Sequence, residues 1–389
     1  MIYLHPLFRV LSAVVLSAFL TGVALVPAAF AKDLRVSTNA ELRDALASAQ
    51  GGTITLADGR YEMLEINRKF PAPVVLRGET RAGVVLDGVR LEGVSNLSLQ
   101  HLSVQGGLSI QRKSSDLVIG GLAIKGMIYC RDVDRITIHD TDIHADTFGL
   151  ILNSVRDFRV TQNRIRFATE DLMRIATRSS DGLVAYNIIS DTQAKRPMHP
   201  DLLQLFGNGG DTPHDIVIRR NLLTDPPVKG DVMAQGIFVS DPRSAGGFRN
   251  MLIEENLISV SSPNSIYVWG GEKNFIIRNN TLIPSPGDGG AMIRLAKRND
   301  MVNAGTRVEG NVAKILLDET KGSQIGQNYI YGRNAPMSHL FQGKGQSARW
   351  QDFLPRVNTR LEQSGHGATA FLNDLRAGKV RLGPSWIAD

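Results

Sequence analysis

The chain has 389 residues, enough for one large domain or two ordinary ones, and carries 44 Lys and Arg against 38 Asp and Glu, a formal net charge of +6. Sparse aromatics and the lack of any Lys/Arg-rich run argue against a nucleic-acid binder, while the weak basic excess fits an acidic polymer as partner. A single cysteine, Cys130, rules out an intrachain disulfide.

Arg9 and the apolar run from Val10 to Val26, closed by Ala29-Phe30-Ala31, read as a signal peptide over residues 1–31, so the mature chain is expected to start at Lys32. No later stretch is long and apolar enough to cross a bilayer. The expectation is therefore a periplasmic or secreted protein that leaves the membrane once the signal is removed. Ser37 to Ala49 reads as an amphipathic helix with Leu42, Ala45, Leu46 and Ala49 on one face and Thr38 or Asn39 as its cap. Gly51 to Tyr61, Pro73 to Gly78 and Gly83 to Gly88 then read as strands punctuated by glycine. Cys130 lies in an alternating stretch and is expected to be a small buried apolar residue.

A repeat follows. Asp134 to Asp140, Asp157 to Asn163, Asp181 to Asn187, Asp215 to Asn221, Asn250 to Asn256 and Asn274 to Asn280 each begin and end on Asp or Asn around an apolar-rich middle. Weaker copies include Asn311 and Asn328. A period of roughly two dozen residues signals a solenoid whose units must stack to bury a face. The asparagine that ends each unit suits a left-handed bend, with its amide free to bond the next coil. Stacked asparagines would form a ladder.

This pattern resembles the right-handed parallel β-helix proteins, the group of pectate lyases, alginate lyases and epimerases, and phage tailspikes. The resemblance runs from Leu34 to Tyr331. The capping helix followed by Gly-Gly-Thr-Ile-Thr-Leu-Ala-Asp-Gly-Arg-Tyr looks most like the chondroitinase B and alginate lyase branch. It implies an all-β solenoid over 32–335, with residues 336–389 as a helical C-terminal cap or tail. Within that tail, Gly365-His366-Gly367 is similar to a polygalacturonase motif, but the aspartates and the Arg-x-Lys that accompany it are missing.

A third strand is expected between repeats: Asp171–Ala176, Asp201–Phe206, Gln235–Ser240, Asn264–Trp269 and Ala291–Leu295. Stacked, these give one column of Asp171, Asp201, Gln235 and Asn264 and another of Arg174, Gln204, Phe238 and Tyr267. Equivalent positions on neighbouring coils lie roughly 4.8 Å apart. Long insertions around the same strands bring Lys195, Arg196, His199, His214 and Lys229 towards one face.

Three chemistries compete for these residues. The first is removal of the proton at C5 of a uronate, completed by β-elimination or by epimerisation. Arg174 and Gln204 would neutralise the carboxylate, His199 or Lys195 would take the proton, and Tyr267 would protonate the leaving oxygen. Arg196, Lys229, His214, Phe238, Trp269 and Arg294 would bind the polymer. Asp171 and Asp201 offer paired oxygens for calcium. The second chemistry is hydrolysis with Asp171 and Asp201 as acid and nucleophile. The third is polysaccharide binding without catalysis, since a fold does not imply an activity. Two departures bear on the substrate that the resemblance implies. The lysine and arginine motif of the alginate lyases has no clear copy, and Thr212-Pro213-His214-Asp215 only approaches the Asp-Pro-His-Asp motif of periplasmic mannuronan epimerases. An acidic polysaccharide is the expected partner, and a monomer suffices to bind one.

Overall fold

Parallel pairing accounts for the architecture. Each coil contributes a strand to three sheets that run the length of a right-handed parallel β-helix. The computed structural model describes residues 33–195, 198–225, 233–240, 247–285, 290–343 and 349–387. The expected signal segment lies outside them. No helix of the described residues is long and apolar enough to cross a membrane.

The first sheet contains Met173–Ala176, Asp201–Phe206, Gln235–Ser240, Asn264–Trp269 and Met292–Ala296, all expected third strands. The second carries the repeat itself, in Ser180–Ala185, His214–Arg219, Arg249–Glu254 and Lys273–Arg278. Strands Ile128–His139 and Leu150–Thr161 run through both sheets without a break. A third sheet of short strands, such as Arg164–Arg166, Ile188–Ser190 and Leu222–Asp225, closes each coil.

Alternation decides what is inside. In Asp201–Phe206, Leu203 and Leu205 are buried in the core while Gln204 and Phe206 stand on the outer side. Leu202 is also in the core, so the strand kinks at its start and leaves Asp201 on the outer side with Gln204. Cys130 is fully buried, and burial pushes its thiol up to about 12. It fills core volume and has no thiolate to offer at neutral pH.

The asparagine ladder forms between the second and third sheets. Asn163, Asn187, Asn221, Asn256, Asn280 and Asn311 are each fully buried. The Oδ1 of each from Asn187 to Asn311, and then of Asn328, accepts the backbone N–H of the asparagine one coil earlier, at 2.9–3.1 Å. Each Nδ2 donates to a strand carbonyl, as Asn221 does to Val184 at 3.0 Å. Two details of the repeat need correction. The left-handed bend falls on the residue before each ladder asparagine (Gln162, Tyr186, Arg220, Glu255 and Asn279) and on the residue that opens the repeat, not on the ladder position. The amide then points along the stack because its own backbone keeps a negative φ. The earliest repeat is also shifted by one, since Arg135 pairs beside Asp157 and Thr141, not Asp140, donates its N–H to Asn163.

At the N-terminal end, helix Asn39–Ser48 is capped by Thr38, whose hydroxyl accepts the Glu41 N–H, and it buries Leu42, Ala45 and Leu46. Arg68 donates to the carbonyls of Leu46, Ala47 and Ala49 and so satisfies the helix C-terminus. At the other end, short helices Met337–Leu340, Arg360–Ser364 and Thr369–Arg376, with a 3-10 turn at Trp350–Phe353, follow the coils. They form a second core, in which Phe341, Phe353, Leu361, Phe371 and Leu372 pack on Leu222, Leu257, Ile283 and Val312 from the outer face of the third sheet. The chain then continues back along that flank to Asp140, where Trp386 donates to the backbone carbonyl and the Arg81 guanidinium lies 3.9 Å above its ring. His366 sits in the turn after Arg360–Ser364, with Nδ1 3.0 Å from the Ser364 carbonyl oxygen. The Gly-His-Gly motif is thus part of a helix end.

Candidate functional site

Arg174 lies on an outward column of the first sheet, preceded in register by Tyr129 and Ile151 on the two coils before it. It is in register with Gln204, then Phe238, Tyr267 and Arg294 on successive coils. The side chain is held on three sides. Its Nε and Nη2 donate to Asp171 Oδ2 at 2.9 and 2.5 Å. Phe148 and Phe206 flank the guanidinium, with ring centroids 4.8 and 5.6 Å from its central carbon. About a quarter of the side chain stays exposed, so the charge is oriented but reachable.

Asp171 and Asp201 lie beneath it and are almost completely buried. Asp171 Oδ1 accepts the Asp201 N–H at 2.9 Å, which leaves both Asp171 oxygens occupied. Asp201 Oδ2 accepts from Gln204 Nε2 at 2.9 Å, while its Oδ1 has no partner. Burial and the neighbouring Asp171 charge raise the Asp201 carboxyl well above the ordinary carboxylate range, against the pull of Arg174, Gln204 and Gln235. Burial also raises Asp171, but Arg174 opposes it. The proton therefore sits on Asp201 and the charge on Asp171. The next coils extend this second column, with Asn264 Nδ2 donating to Gln235 Oε1 at 3.0 Å.

Farther along the outward column, polar groups give way to rings. Phe238 and Tyr267 stack at 5.1 Å, and Trp269 meets Phe238 edge-on at 6.4 Å. Arg294 lies over Tyr267, and Arg298 over Trp269. Arg294 is also paired with Glu319 at 3.1 Å. All three rings are only half-buried, so they line the surface and not the core.

The structure brings together Asp171, Arg174, Asp201, Gln204, Phe238, Tyr267, Trp269 and Arg294, and separates others. His199 and Lys195 are exposed in the loop before Asp201, and no described residue hydrogen-bonds either side chain. His214 starts a strand of the second sheet, in register with Ser180 and Arg249, and its Nδ1 lies 2.5 Å from the Asp215 carboxylate. That pairing ties it to its neighbour and takes it off the outward column expected to bind polymer. Arg196 and Lys229 lie outside the described residues. Calcium does not fit the aspartate pair: one carboxylate is saturated by a guanidinium and an amide, and a guanidinium at bonding distance repels a cation. Among the described residues, no group of three or more His, Cys, Asp or Glu side chains could hold a metal. Hydrolysis likewise loses its nucleophile, because the charge on Asp171 is spent on Arg174. The two phenylalanines that clamp Arg174 went unrecognised in the sequence. Phe206 closes an expected strand, but Phe148 precedes one by two residues and carries no pattern.

The family described as right-handed β-helix region matches residues 82–282, just over half of the chain. The chain belongs to this family. Among solved structures, the A-module of mannuronan C-5 epimerase AlgE6 from Azotobacter vinelandii superposes with a TM-score of 0.51 at 14% identity, over 75% of this chain and 93% of that one. Pectate lyase Pel9A gives a TM-score of 0.47 at 13% identity, over 85% and 91% of the two chains. A mannuronic acid specific family 6 polysaccharide lyase from the human gut microbiota gives 0.46 at 15%, over 91% and 96%. At these identities the likeness is one of fold. No curated protein sequence matches the chain.

Proposed function

We propose that the protein is a polysaccharide-modifying enzyme that receives a uronate carboxylate at Arg174 and removes the proton at C5. The observation that carries this is the outward arginine, fixed by a buried carboxylate and two rings, on a column that continues through Gln204, Phe238, Tyr267 and Arg294 on the next four coils. A fixed guanidinium neutralises a carboxylate without reorganising when charge shifts onto it. The protonated Asp201 carboxyl and the Gln204 amide lie beside it as neutral groups, so Asp171, already paired with the guanidinium, carries the negative charge nearest the bound uronate.

In the reaction, the C5–H electron pair moves into a C4–C5 double bond as the C4–O bond breaks. The proton passes to a base, and the departing oxygen takes a proton from an acid. His199 or Lys195, both on the exposed loop before Asp201, supplies the base, and solvent water the acid; the Tyr267 hydroxyl, three coil steps or about 14 Å from Arg174, is too far to protonate the same sugar. An epimerase would stop before bond cleavage and return the proton to the opposite face. The absence of any hydrogen bond orienting His199 among the described residues favours a second reading, in which the strip binds polymer without reacting.

The mature protein would be incubated with alginate, pectate, glucuronan and glycosaminoglycans. Ultraviolet absorbance would follow the unsaturated uronate, and deuterium uptake from heavy water would follow C5 exchange. Arg174→Lys should lower kcat/KM by about 10²–10³-fold, the usual cost of one misplaced donor to a developing anion. Absence of both signals on polymers that bind would establish the non-catalytic reading. Unchanged turnover in a folded Arg174→Lys protein would remove Arg174 from the reaction.

A further inference from the structure

The outward strip differs on the two sides of Arg174. Towards the C-terminal coils, Phe238 and Tyr267 stack on each other, the Arg294 guanidinium lies over Tyr267, and hydrogen bonds tie Arg294 to Glu319. These groups are committed to one another. Towards the N-terminal coils, the strip runs through Ile151 to Tyr129, one and two coil steps from Arg174. Two residues farther along the same strands, Asn153 stands in register with Arg131 on one side and with Ala176 on the other.

Three side chains on this side have unused donors. Asn153 Oδ1 accepts from the Thr177 hydroxyl at 2.7 Å, which orients the amide and leaves its Nδ2 without a partner among the described residues. The Tyr129 hydroxyl has no hydrogen-bond partner among them either. Arg131 is more than half exposed, and the carboxylate beside it, Asp132, lies 3.6 Å from its Nε and is itself about half exposed. A contact of that length is not a hydrogen bond, and between exposed groups it contributes little, so a better-aligned anion can displace it. The arginines farther back differ: Arg90 is held by Glu65 at 2.9 Å and Arg112 by Glu92 at 2.8 Å.

Tyr129 and Arg131 lie two coil steps from Arg174, about 10 Å along the solenoid axis. A pyranose unit is close to one coil step in length, so this is the span of two sugars. In an extended twofold chain every second sugar turns its carboxylate to the same side. We infer that Arg131, Asn153 and the Tyr129 hydroxyl form a second carboxylate subsite, and that the polymer runs from Arg174 towards the N-terminal coils with the intervening sugar over Ile151. An arginine and an amide side by side supply charge and directed donors to the two carboxylate oxygens. This rests on the proposed reading of Arg174 as the uronate position. It sets the direction of the bound chain and its shortest effective length.

The test is a length series of galacturonate and mannuronate oligomers, from dimer to tetramer, titrated calorimetrically into the mature protein in dilute buffer. The trimer should bind about tenfold more tightly than the dimer, the gain expected of one charge-assisted contact, and the tetramer should add less than about threefold. Arg131→Ala and Asn153→Ala should each remove most of the trimer's gain, while Arg174→Ala should weaken every length. Arg131 is exposed, so its variant keeps the coils intact. If dimer and trimer bind alike and both need Arg174, the uronate reading stands and this inference falls. A gain that survives both Arg131→Ala and Asn153→Ala, or that depends on Phe238 or Tyr267 instead, overturns it as well. If no oligomer binds to a protein with native circular dichroism, or if binding ignores Arg174, both fall.

Discussion

Asn221→Ala removes one rung from the middle of the asparagine ladder, and its cost can be worked out bond by bond. Asn221 Oδ1 accepts from the Asn187 backbone N–H at 3.0 Å and from the Asn187 amide at 2.9 Å. Its Nδ2 donates to the carbonyls of Val184 and Arg219 and to Asn256 Oδ1, each at 3.0 Å. Alanine strands two donors of Asn187, a residue with no exposed surface. A buried donor left unpaired costs roughly 1–3 kcal/mol, so the substitution should cost about 4 kcal/mol. That is a large fraction of the stability of an ordinary domain. Asn328→Ala is the control. It breaks the same kinds of bond at the last rung, where the asparagine is only half-buried and water can replace it, so its cost should stay below about 1 kcal/mol. Urea denaturation of the three proteins, compared at a common m-value, measures the difference. Equal costs for the two variants, or a loss under 1 kcal/mol for Asn221→Ala, would show that the ladder does not carry the stack.

The buried acid pair predicts a pH dependence with a definite sign. A carboxyl raised in the folded state holds a proton that the unfolded chain releases above about pH 4, so stability falls as pH climbs from there towards the folded value. Asp201→Asn, which mimics the protonated form, should flatten the decline in Tm above pH 4 and raise Tm at neutral pH; a slope equal to that of the parent would contradict the assignment of the proton to Asp201. Asp225, lifted by burial to about 6, adds a decline of the same sign confined to the window from about pH 4 to 6, and Asp225→Asn should remove that part alone. Trp386→Ala deletes the indole bond to the Asp140 carbonyl and the stacking under Arg81, and leaves the C-terminal segment held there by the Ser385 bonds to the Asp140 carboxylate. Limited proteolysis should then trim residues near the C-terminus while the coils stay intact, and an unchanged digestion pattern would mean that the Ser385 bonds suffice to hold the tail.

Much of the architecture was legible because solenoid physics writes itself into sequence as a period. Ile136, Phe158, Ile216 and Phe275 recur at equivalent places because every coil must present the same apolar face to the next. The outward column from Arg174 to Tyr267 could be read for the same reason. Position-specific chemistry was harder to read. Arg174 had two aspartates within reach. It pairs with Asp171, three residues back on its own coil, and leaves Asp201 to Gln204, a choice that depends on the kink before Leu202. The left-handed residue was misplaced by one because Asp and Asn occur at both ends of the repeat, and only the backbone shows which of them bends. The helical character of the residues beyond Tyr331 was legible, but the surface they pack on was not. Their apolar side chains follow no coil period because they pack on an outer face that belongs to several coils at once.

The ladder has one more consequence, for how such a protein can change. Successive rungs are separated by 24, 34, 35, 24, 31 and 17 residues, yet the bonds between them are the same length. The extra residues are absorbed at other corners of the coil, chiefly around the strands that start at Asp201 and Gln235. Register is thus locked on one edge of the prism while the edges bordering the outward strip remain free to lengthen. Loops next to the strip can be exchanged, extended or shortened without disturbing the stacking that holds the coils together. A new specificity can therefore be acquired here at little cost to folding.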